Sequence, residues 1–238
     1  MIDHQVVFAK VAAVTLRDRV VAALKDSFFS GMLKPGDLIV ERQVARQMGI
    51  GTPAVREALI TLQGEGFVQR VANTATYVRR YTVTEVEELY NLRMEIECLA
   101  LQWAKNRVTE KDLTNLEAIT EQMVQATRSG KVREFYELDL AFHRVCWNIS
   151  GNRFLVSTLE TLVVPLFAFV LRENEGGAVE ETAKAHLQIV NALRRLEEPE
   201  FSTAIRKTLA GFALKGLGLM ARLSADAEKA GGATARRR

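Results

Sequence analysis

Apolar residues recur at helical spacing along most of the chain, with polar residues between them. Leu16, Val20, Ala23 and Leu24 form the first such stripe, which predicts a helix from about residue 14 to residue 29. Two short stretches, 67–71 and 76–80, instead have the composition of strands and are predicted to pair as a hairpin. Six further helices are predicted at roughly 84–106, 110–129, 131–149, 152–173, 178–196 and 199–224.

Residues 41–59 have the layout of a short helix, a glycine turn and a second helix. We expect Thr52 to cap the second helix and Pro53 to occupy its first position, where a missing N–H costs nothing. This arrangement is typical of a helix-turn-helix, which places its second helix in the major groove of DNA. Because the predicted hairpin follows it, the sequence predicts a winged helix.

The chain is predicted to divide into four parts. Residues 1–14 form an N-terminal extension, 15–81 a winged helix-turn-helix domain, 82–224 an antiparallel bundle of six helices, and 225–238 a basic flexible tail. The spacing of Thr84 and Glu87 matches a capping box, which predicts that the first bundle helix begins there. The predicted fold class is therefore mainly α, with a winged helix-turn-helix before a six-helix bundle.

Charge is unevenly distributed along the 238 residues. Residues 1–81 hold 11 Lys/Arg against 7 Asp/Glu, whereas residues 82–224 hold 17 against 20, which suits a phosphate-facing N-terminal part. Cys98 and Cys146 have no paired spacing and lie in apolar helical patterns, which predicts buried, reduced thiols and a cytoplasmic location. No run of eighteen apolar residues occurs, so we expect no membrane span.

Two of the three histidines lie on apolar stripes of predicted helices. Asp139 and His143 are four residues apart and therefore neighbours on one helix, while His186 lies on a later helix. A carboxylate facing a core is costly unless it is paired or bound to metal. These residues predict either a Zn²⁺, Ni²⁺ or Mn²⁺ site in the bundle, or a hydrogen-bonded Asp139–His143 pair with His186 as a satisfied core residue.

These motifs resemble those of the GntR family of bacterial transcription factors, and the bundle resembles the FCD ligand-sensing domain of its FadR subfamily. The resemblance covers about residues 15–222 and implies a regulator, not an enzyme, that binds palindromic operator DNA as a homodimer and responds to an effector. It is carried by Gly31-Met32-Leu33-Lys34-Pro35-Gly36-Asp37-Leu38, the 41–59 motif, Glu65-Gly66-Phe67-Val68, Leu92-Arg93-x3-Glu97, Asp139-x2-Phe142-His143, Gly151-Asn152 and His186.

The resemblance implies a set of DNA-binding residues. Arg42 and Arg56 match arginines that contact DNA in the family, although each taken alone would be better explained as part of a solvated helix face. Thr52 stands where relatives often have an arginine, and Thr74 lies at the wing tip, where relatives often have Arg-Gly. We therefore expect weaker or water-mediated base contacts from Thr52 and a reduced minor-groove contact from Thr74.

The resemblance also implies a ligand site in the bundle. Many FCD domains bind metal through one Asp and three His; Asp139, His143 and His186 match the first three positions, and Thr208 aligns with the fourth. Threonine is a poor metal ligand, so Thr208 is expected to hold a bound water or an effector oxygen. Arg93 matches an arginine that holds the carboxylate of a small organic acid effector, the alternative being a surface pair with Glu97.

Two alternatives to this function stay open from the sequence. The first is the same regulator fold with a metal-free pocket for an acyl or other organic effector. The second is a metal-dependent hydrolase that uses the predicted Asp139 and His143 site. Against the hydrolase, the sequence places no general base beside these residues and contains no nucleophile motif.

Overall fold

The computed structural model describes residues 14–71, 75–171 and 179–212. The described part is mainly helical with one small sheet, which confirms the predicted fold class. Its elements are α1 (Leu16–Ser30), β1 (Leu38–Ile39), α2 (Glu41–Met48), α3 (Thr52–Gly64), β2 (Val68–Val71), β3 (Ala75–Val78), α4 (Val83–Lys105), α5 (Glu110–Arg128), α6 (Val132–Ile149), α7 (Arg153–Leu166), a π-helical segment (Phe167–Leu171), α8 (Glu180–Arg195) and α9 (200–212).

The winged helix is formed by α1, α2, α3 and an antiparallel sheet of order β1-β3-β2. In this sheet Leu38 pairs with Tyr77, and Val68 pairs with Val78. Between α2 and α3, Gly49 adopts φ 64°, a left-handed conformation that glycine enters without a Cβ clash. The sheet and the turn together aim α3 outward as the second helix of the helix-turn-helix. Thr74 falls in residues 72–74, outside the described residues.

Two predicted helix starts differ from those observed. Gly51, not Thr52, is the N-cap of α3, and Thr52 and Pro53 are its first two residues. The first bundle helix is capped by Thr82 with Glu85, and so begins earlier than the predicted cap of Thr84 with Glu87. The sequence contains two overlapping capping-box patterns, and the helix begins at the earlier one. The side chains of Thr109 and Asn152 cap α5 and α7.

The winged helix packs directly against α7 and the π-helical segment. One apolar cluster runs from Phe28 and Phe67 to Val163 and Phe169, so both domains share a core. Gly66 lies at this junction with φ 79°, and a Cβ on it would stand 3.4 Å from the Pro165 ring. The left-handed backbone conformation therefore makes any L side chain strained at this position and favours glycine.

The remaining helices form the bundle that surrounds the candidate site. Helix α5 packs on α6 and α8, and α4 packs on α6 and α7. The free thiols of Cys98 and Cys146 are both buried, as predicted. Among the described residues, no helix is long and apolar enough to cross a membrane. The buried stripe of α4 is unusual because it includes two charged residues: Val86, Tyr90, Arg93, Glu97, Cys98, Ala100, Leu101 and Ala104.

Candidate regulatory site and DNA-binding surface

Five ionisable side chains lie together inside the bundle and form what we call the buried polar cluster. Each is at most 7% exposed. They come from three helices because the buried stripe of α4 includes two of them, the i,i+4 spacing in α6 aligns two more, and α8 supplies the last. The members are Arg93, Glu97, Asp139, His143 and His186.

The two histidine rings have their Nδ1 atoms fixed by oxygen acceptors. His143 Nδ1 lies 2.9 Å from Glu97 Oε1, and His186 Nδ1 lies 3.0 Å from the carbonyl oxygen of Thr182. Because a carboxylate and a carbonyl only accept, Nδ1 is the donor in both rings. Both Nε2 atoms then face Asp139 Oδ1, at 3.3 Å for His143 and 3.0 Å for His186.

This convergence of acceptors fits a cation. Each imidazole directs its second nitrogen at a carboxylate oxygen, and the candidate ligand atoms lie within 4.8 Å of one another. Metal-bound histidines commonly donate their other N–H to a carboxylate or carbonyl. Here the carboxylate of Glu97 accepts from His143, and the carbonyl of Thr182 accepts from His186. The set of one oxygen and two imidazole nitrogens suits Zn²⁺, Ni²⁺ or Mn²⁺. Protons on Nε2 are the alternative way to satisfy the same contacts.

Pairing within the cluster outweighs the cost of burying its charges. Burial favours neutral Glu97, but Arg93 and His143 lower the pKa of Glu97 to about 2. Burial likewise disfavours charged His143, yet Glu97 and Asp139 raise the pKa of His143 to about 9. The pKa of Asp139 is lowered by His186 and His143 against the effect of burial. Without metal, the guanidinium of Arg93 and the imidazolium of His143 thus stabilise the buried carboxylates.

Arg93 lies inside the bundle, not on its surface. Its Nε donates to Glu97 Oε2 at 3.0 Å, and both side chains are almost fully buried. The surface pair considered from the sequence is therefore wrong in its location, although the partner is right. Arg93 Nη2 also lies 3.3 Å from His143 Nε2, which can accept from the guanidinium when it carries no proton. The guanidinium thus stands beside the predicted metal ligands.

A small cavity of about 10 Å³ adjoins the buried polar cluster. That volume holds about one water molecule. The ring of Phe212 covers the cluster, stacked on the His186 ring at 4.6 Å and 6.1 Å from that of His143. An organic effector at this cavity therefore requires some of its lining side chains to move. The cavity is lined by Tyr90, Arg93, Met94, Glu97, Leu209 and Phe212.

Thr208 is turned away from the buried polar cluster. Its hydroxyl oxygen lies 3.1 Å from Gln188 Oε1 and 3.0 Å from the carbonyl oxygen of Ala204. Among the described contacts, none joins it to the three candidate ligands. Phe212, one helical turn later, faces the histidines instead. The structure thus brings Asp139, His143, His186 and Arg93 together, and leaves Thr208 outside.

From the sequence, Glu97 was expected only as a surface partner of Arg93, and Trp147 had no expected role in the site. Glu97 accepts from Arg93 and His143, and the indole Nε1 of Trp147 donates to Glu97 Oε1 at 2.9 Å. A signal for Glu97 was present, because Arg93 and Glu97 continue the 86, 90, 93, 97, 101 and 104 spacing of the buried stripe. No local signal identified Trp147, since its partner is fifty residues away.

The predicted DNA-contacting arginines lie on the exposed side of the helix-turn-helix. Arg42 is exposed, Thr52 is half-buried, and the side chain of Arg56 is 59% exposed. Arg56 donates through Nε and Nη2 to Glu41 Oε2, at 3.2 and 3.0 Å. Arg70 on β2 places Nη2 3.8 Å from the other oxygen of Glu41. Glu41 thereby joins the recognition helix to the wing strand, a role that the sequence pattern did not indicate.

A winged helix joined to a helical bundle is an architecture of transcription regulators. Two family models match the chain: residues 16–78 match the gntR family of bacterial regulatory proteins, and residues 88–211 match the FCD domain. The chain belongs to the GntR family of bacterial transcriptional regulators and carries an FCD domain. Its relatives are transcriptional regulators rather than enzymes, which removes the hydrolase alternative.

Individual relatives and solved structures agree with this assignment. The HTH-type transcriptional regulator YdhC of Bacillus subtilis is 31% identical over 138 residues, 58% of this chain and 62% of that protein. The match thus spans less than two thirds of YdhC. McbR of Escherichia coli is 27% identical over 65% of this chain and 70% of its own. The solved structure of E. coli McbR/YncC shares the fold with a TM-score of 0.75 at 22% identity, covering 89% of this chain and all of that one.

Proposed function

We propose that this regulator binds a palindromic operator as a homodimer and that a divalent metal and a small organic acid at the buried polar cluster control its DNA affinity. The metal ligands are Asp139, His143 and His186, and Arg93 holds the acid's carboxylate. Arg42, Thr52, Arg56 and Thr74 are the residues that contact the DNA. A dimer is needed because two recognition helices must reach half-sites about one helical turn apart. The protein acts in the cytoplasm.

The observation that carries the proposal is the fixed orientation of both imidazoles toward Asp139. With Nδ1 of His143 and His186 held as donors, both Nε2 atoms are directed at one carboxylate oxygen, and a divalent ion that displaces the Nε2 protons would bind all three groups. When bound, such an ion supplies positive charge and open coordination positions. Two carboxylates, one guanidinium and a divalent ion then leave one excess positive charge. A buried excess charge calls for an anion, which a carboxylate supplies.

The proposal can be tested on the full-length protein with DNA selected from a pool of random duplexes. We expect a palindromic sequence bound by a dimer, as measured by sedimentation of the complex. Its Kd should change when Zn²⁺ is added, and again when a panel of mono-, di- and tricarboxylates is titrated. A Kd that no metal and no carboxylate changes would exclude this form of control.

A metal-free organic effector is the second candidate. It is favoured by the aromatic cover of Phe212 and by the position of Thr208, which leaves three ligands instead of four. The small cavity argues against a long acyl chain unless α9 moves. If Zn²⁺, Ni²⁺ and Mn²⁺ all fail to bind, the effector search should turn to organic molecules that pair with Arg93.

Arg56→Ala is expected to weaken operator binding by about 1–3 kcal/mol if Arg56 forks onto a guanine edge. The guanidinium is exposed on α3 and already aligned by Glu41, so little order is lost on contact. Fluorescence anisotropy with the selected operator measures the change. Arg144→Ala is the matched control, because Arg144 forms a comparable ion pair with Glu160 in the bundle. Equal affinities for Arg56→Ala and Arg144→Ala would remove Arg56 from the interface.

Glu41→Gln is expected to reduce sequence discrimination. The carboxylate holds Arg56 and Arg70 in place and carries a negative charge near the phosphates. Its removal should strengthen binding to random DNA through the added net positive charge, while the operator gains less because Arg56 is less ordered. The measurement is the ratio of the two Kd values at one salt concentration. An unchanged ratio would show that Glu41 does not orient these arginines for DNA.

A further inference from the structure

A π-helical segment lies between the buried polar cluster and the winged helix. It follows Pro165, which has no N–H to donate to the carbonyl of Thr161, so the α-helical ladder is interrupted there. Short π-helical stretches within helices are rare and are frequent at functional sites. With about four residues per turn, side chains two positions apart point to nearly opposite sides. Phe167 and Phe169 are such a pair.

Phe167 faces the buried polar cluster. Its ring centroid is 6.2 Å from that of His143, and the guanidinium carbon of Arg93 lies 5.2 Å from the same ring. Phe167 is 1% exposed, and protein interiors are close-packed, so the ring has little free space around it. A change in the position or charge of His143 or Arg93 therefore acts directly on Phe167.

Phe169 faces the DNA-binding domain. Its ring packs edge-on against Phe28 of α1 at 5.6 Å and against Phe67 at 5.8 Å. Phe28 and Phe67 are themselves stacked at 5.4 Å. Phe67 follows α3 by three residues and precedes the wing strand β2. Phe169 thus contacts both the first helix of the domain and the connection from the recognition helix to the wing.

We propose that Phe167 and Phe169 are positioning residues that couple the buried polar cluster to the DNA-binding domain. The two rings belong to one short segment whose helical hydrogen bonding is already interrupted, so a displacement of one ring shifts the other. Only the expected effect of the coupling on DNA affinity rests on the proposed function. The coupling itself is a property of the protein without ligand and can be measured there.

A second physical route exists and must be separated from this one. Helix α4 carries Arg93 and begins two residues after Tyr81, whose hydroxyl donates to the carbonyl of Gly66 at 3.3 Å. A shift of α4 would also reach the winged helix through that connection. Replacing Phe169 with leucine removes its aromatic contacts with Phe28 and Phe67 and leaves the α4 connection intact.

The experiment is a double-mutant cycle read by amide hydrogen exchange in four full-length proteins. They are the wild type, His143→Ala, Phe169→Leu and the double variant. In the wild-type background, His143→Ala should speed exchange in residues 16–30 and 67–71 about tenfold, a size typical of coupling between contacting groups. In the Phe169→Leu background the same change should be less than about twofold. An equal response in both backgrounds, or none in either, overturns the proposal.

Further variants control for general destabilisation of the bundle and for failure of Phe169→Leu to fold. Phe135→Leu alters the bundle core next to Tyr136, away from the π-helical segment, and should not speed exchange in residues 16–30 unless the whole chain unfolds. If Phe169→Leu does not fold, the double variant Phe28→Leu/Phe67→Leu removes both aromatic contacts of Phe169 from the DNA-binding side and takes its place in the cycle. A tenfold response to His143→Ala that persists in this background would also contradict the coupling.

The operator measurement separates this proposal from the proposed function. Phe169→Leu should bind Zn²⁺ with wild-type affinity and lose the zinc-dependent change in operator Kd. A zinc-dependent change that persists in the variant overturns the coupling proposal alone. A wild-type protein that binds Zn²⁺ with no change in Kd overturns the proposed control by metal, while the exchange cycle still decides whether the two rings couple the domains.

Discussion

Glu97→Ala is expected to lower the free energy of unfolding by about 3–5 kcal/mol. The carboxylate accepts from Arg93, His143 and Trp147 in a fully buried position, so its removal leaves two buried cations with reduced compensation. Urea denaturation of metal-free protein measures the loss. We expect this loss of stability with or without metal, because the carboxylate of Glu97 pairs with Arg93 and His143 in both cases.

Glu95→Ala is the matched control for Glu97→Ala. Glu95 has the same charge, lies two residues earlier on α4 and pairs with Arg206, but both partners are exposed. Exposed ion pairs contribute about 0–1 kcal/mol, so this variant should unfold at nearly the wild-type urea concentration. If Glu97→Ala lost no more stability than Glu95→Ala, the cluster would not hold Arg93 and His143 as charged groups.

Asp139→Ala is expected to abolish metal binding. Asp139 Oδ1 is the point at which both Nε2 atoms converge, so the variant loses the only carboxylate among the candidate ligands in the described part of the chain. Changes in outer-shell partners alone cost about 10–100-fold in metal affinity, and loss of a ligand should cost at least as much. Plasma mass spectrometry of untagged protein purified without chelator should find near-stoichiometric metal in the wild type and none in the variant.

The control for this measurement is Glu137→Ala. Glu137 is a half-exposed carboxylate on the same helix, two residues before Asp139, and it pairs with Arg133. Metal that binds at the surface would respond to both substitutions, whereas metal in the bundle responds to Asp139→Ala alone. Equal metal content in the two variants, or a wild type that takes up no Zn²⁺, Ni²⁺ or Mn²⁺, would contradict the proposed metal site.

Much of the fold could be predicted from the sequence because its signals are local. Helical spacing and short polar breaks located the six bundle helices, of which the last is described to residue 212. Capping residues such as Thr109 acted through neighbours within three residues. Where two local patterns overlapped, at Thr82 and Thr84, the sequence pattern did not indicate which would be used.

The candidate site was predicted only in part, for a physical reason. Asp139 and His143 share one helix face, so their proximity follows from an i,i+4 spacing. Thr208 was placed by its match to the fourth ligand position of the family, and the packing of α9 turned its hydroxyl toward Gln188 and set Phe212 over the histidines. The rotation of a helix depends on everything packed against it and is not encoded in one residue.

By itself, the sequence determined the helix-turn-helix, the hairpin, the helical bundle and the identity of the candidate ligands, because these depend on spacing within single elements. The tertiary structure decided that Glu97 and Thr182 fix the two imidazoles, that Glu41 bridges Arg56 and Arg70, and that Phe167 and Phe169 lie between the two domains. Most of these contacts join residues from different elements, so they exist only once the helices have packed.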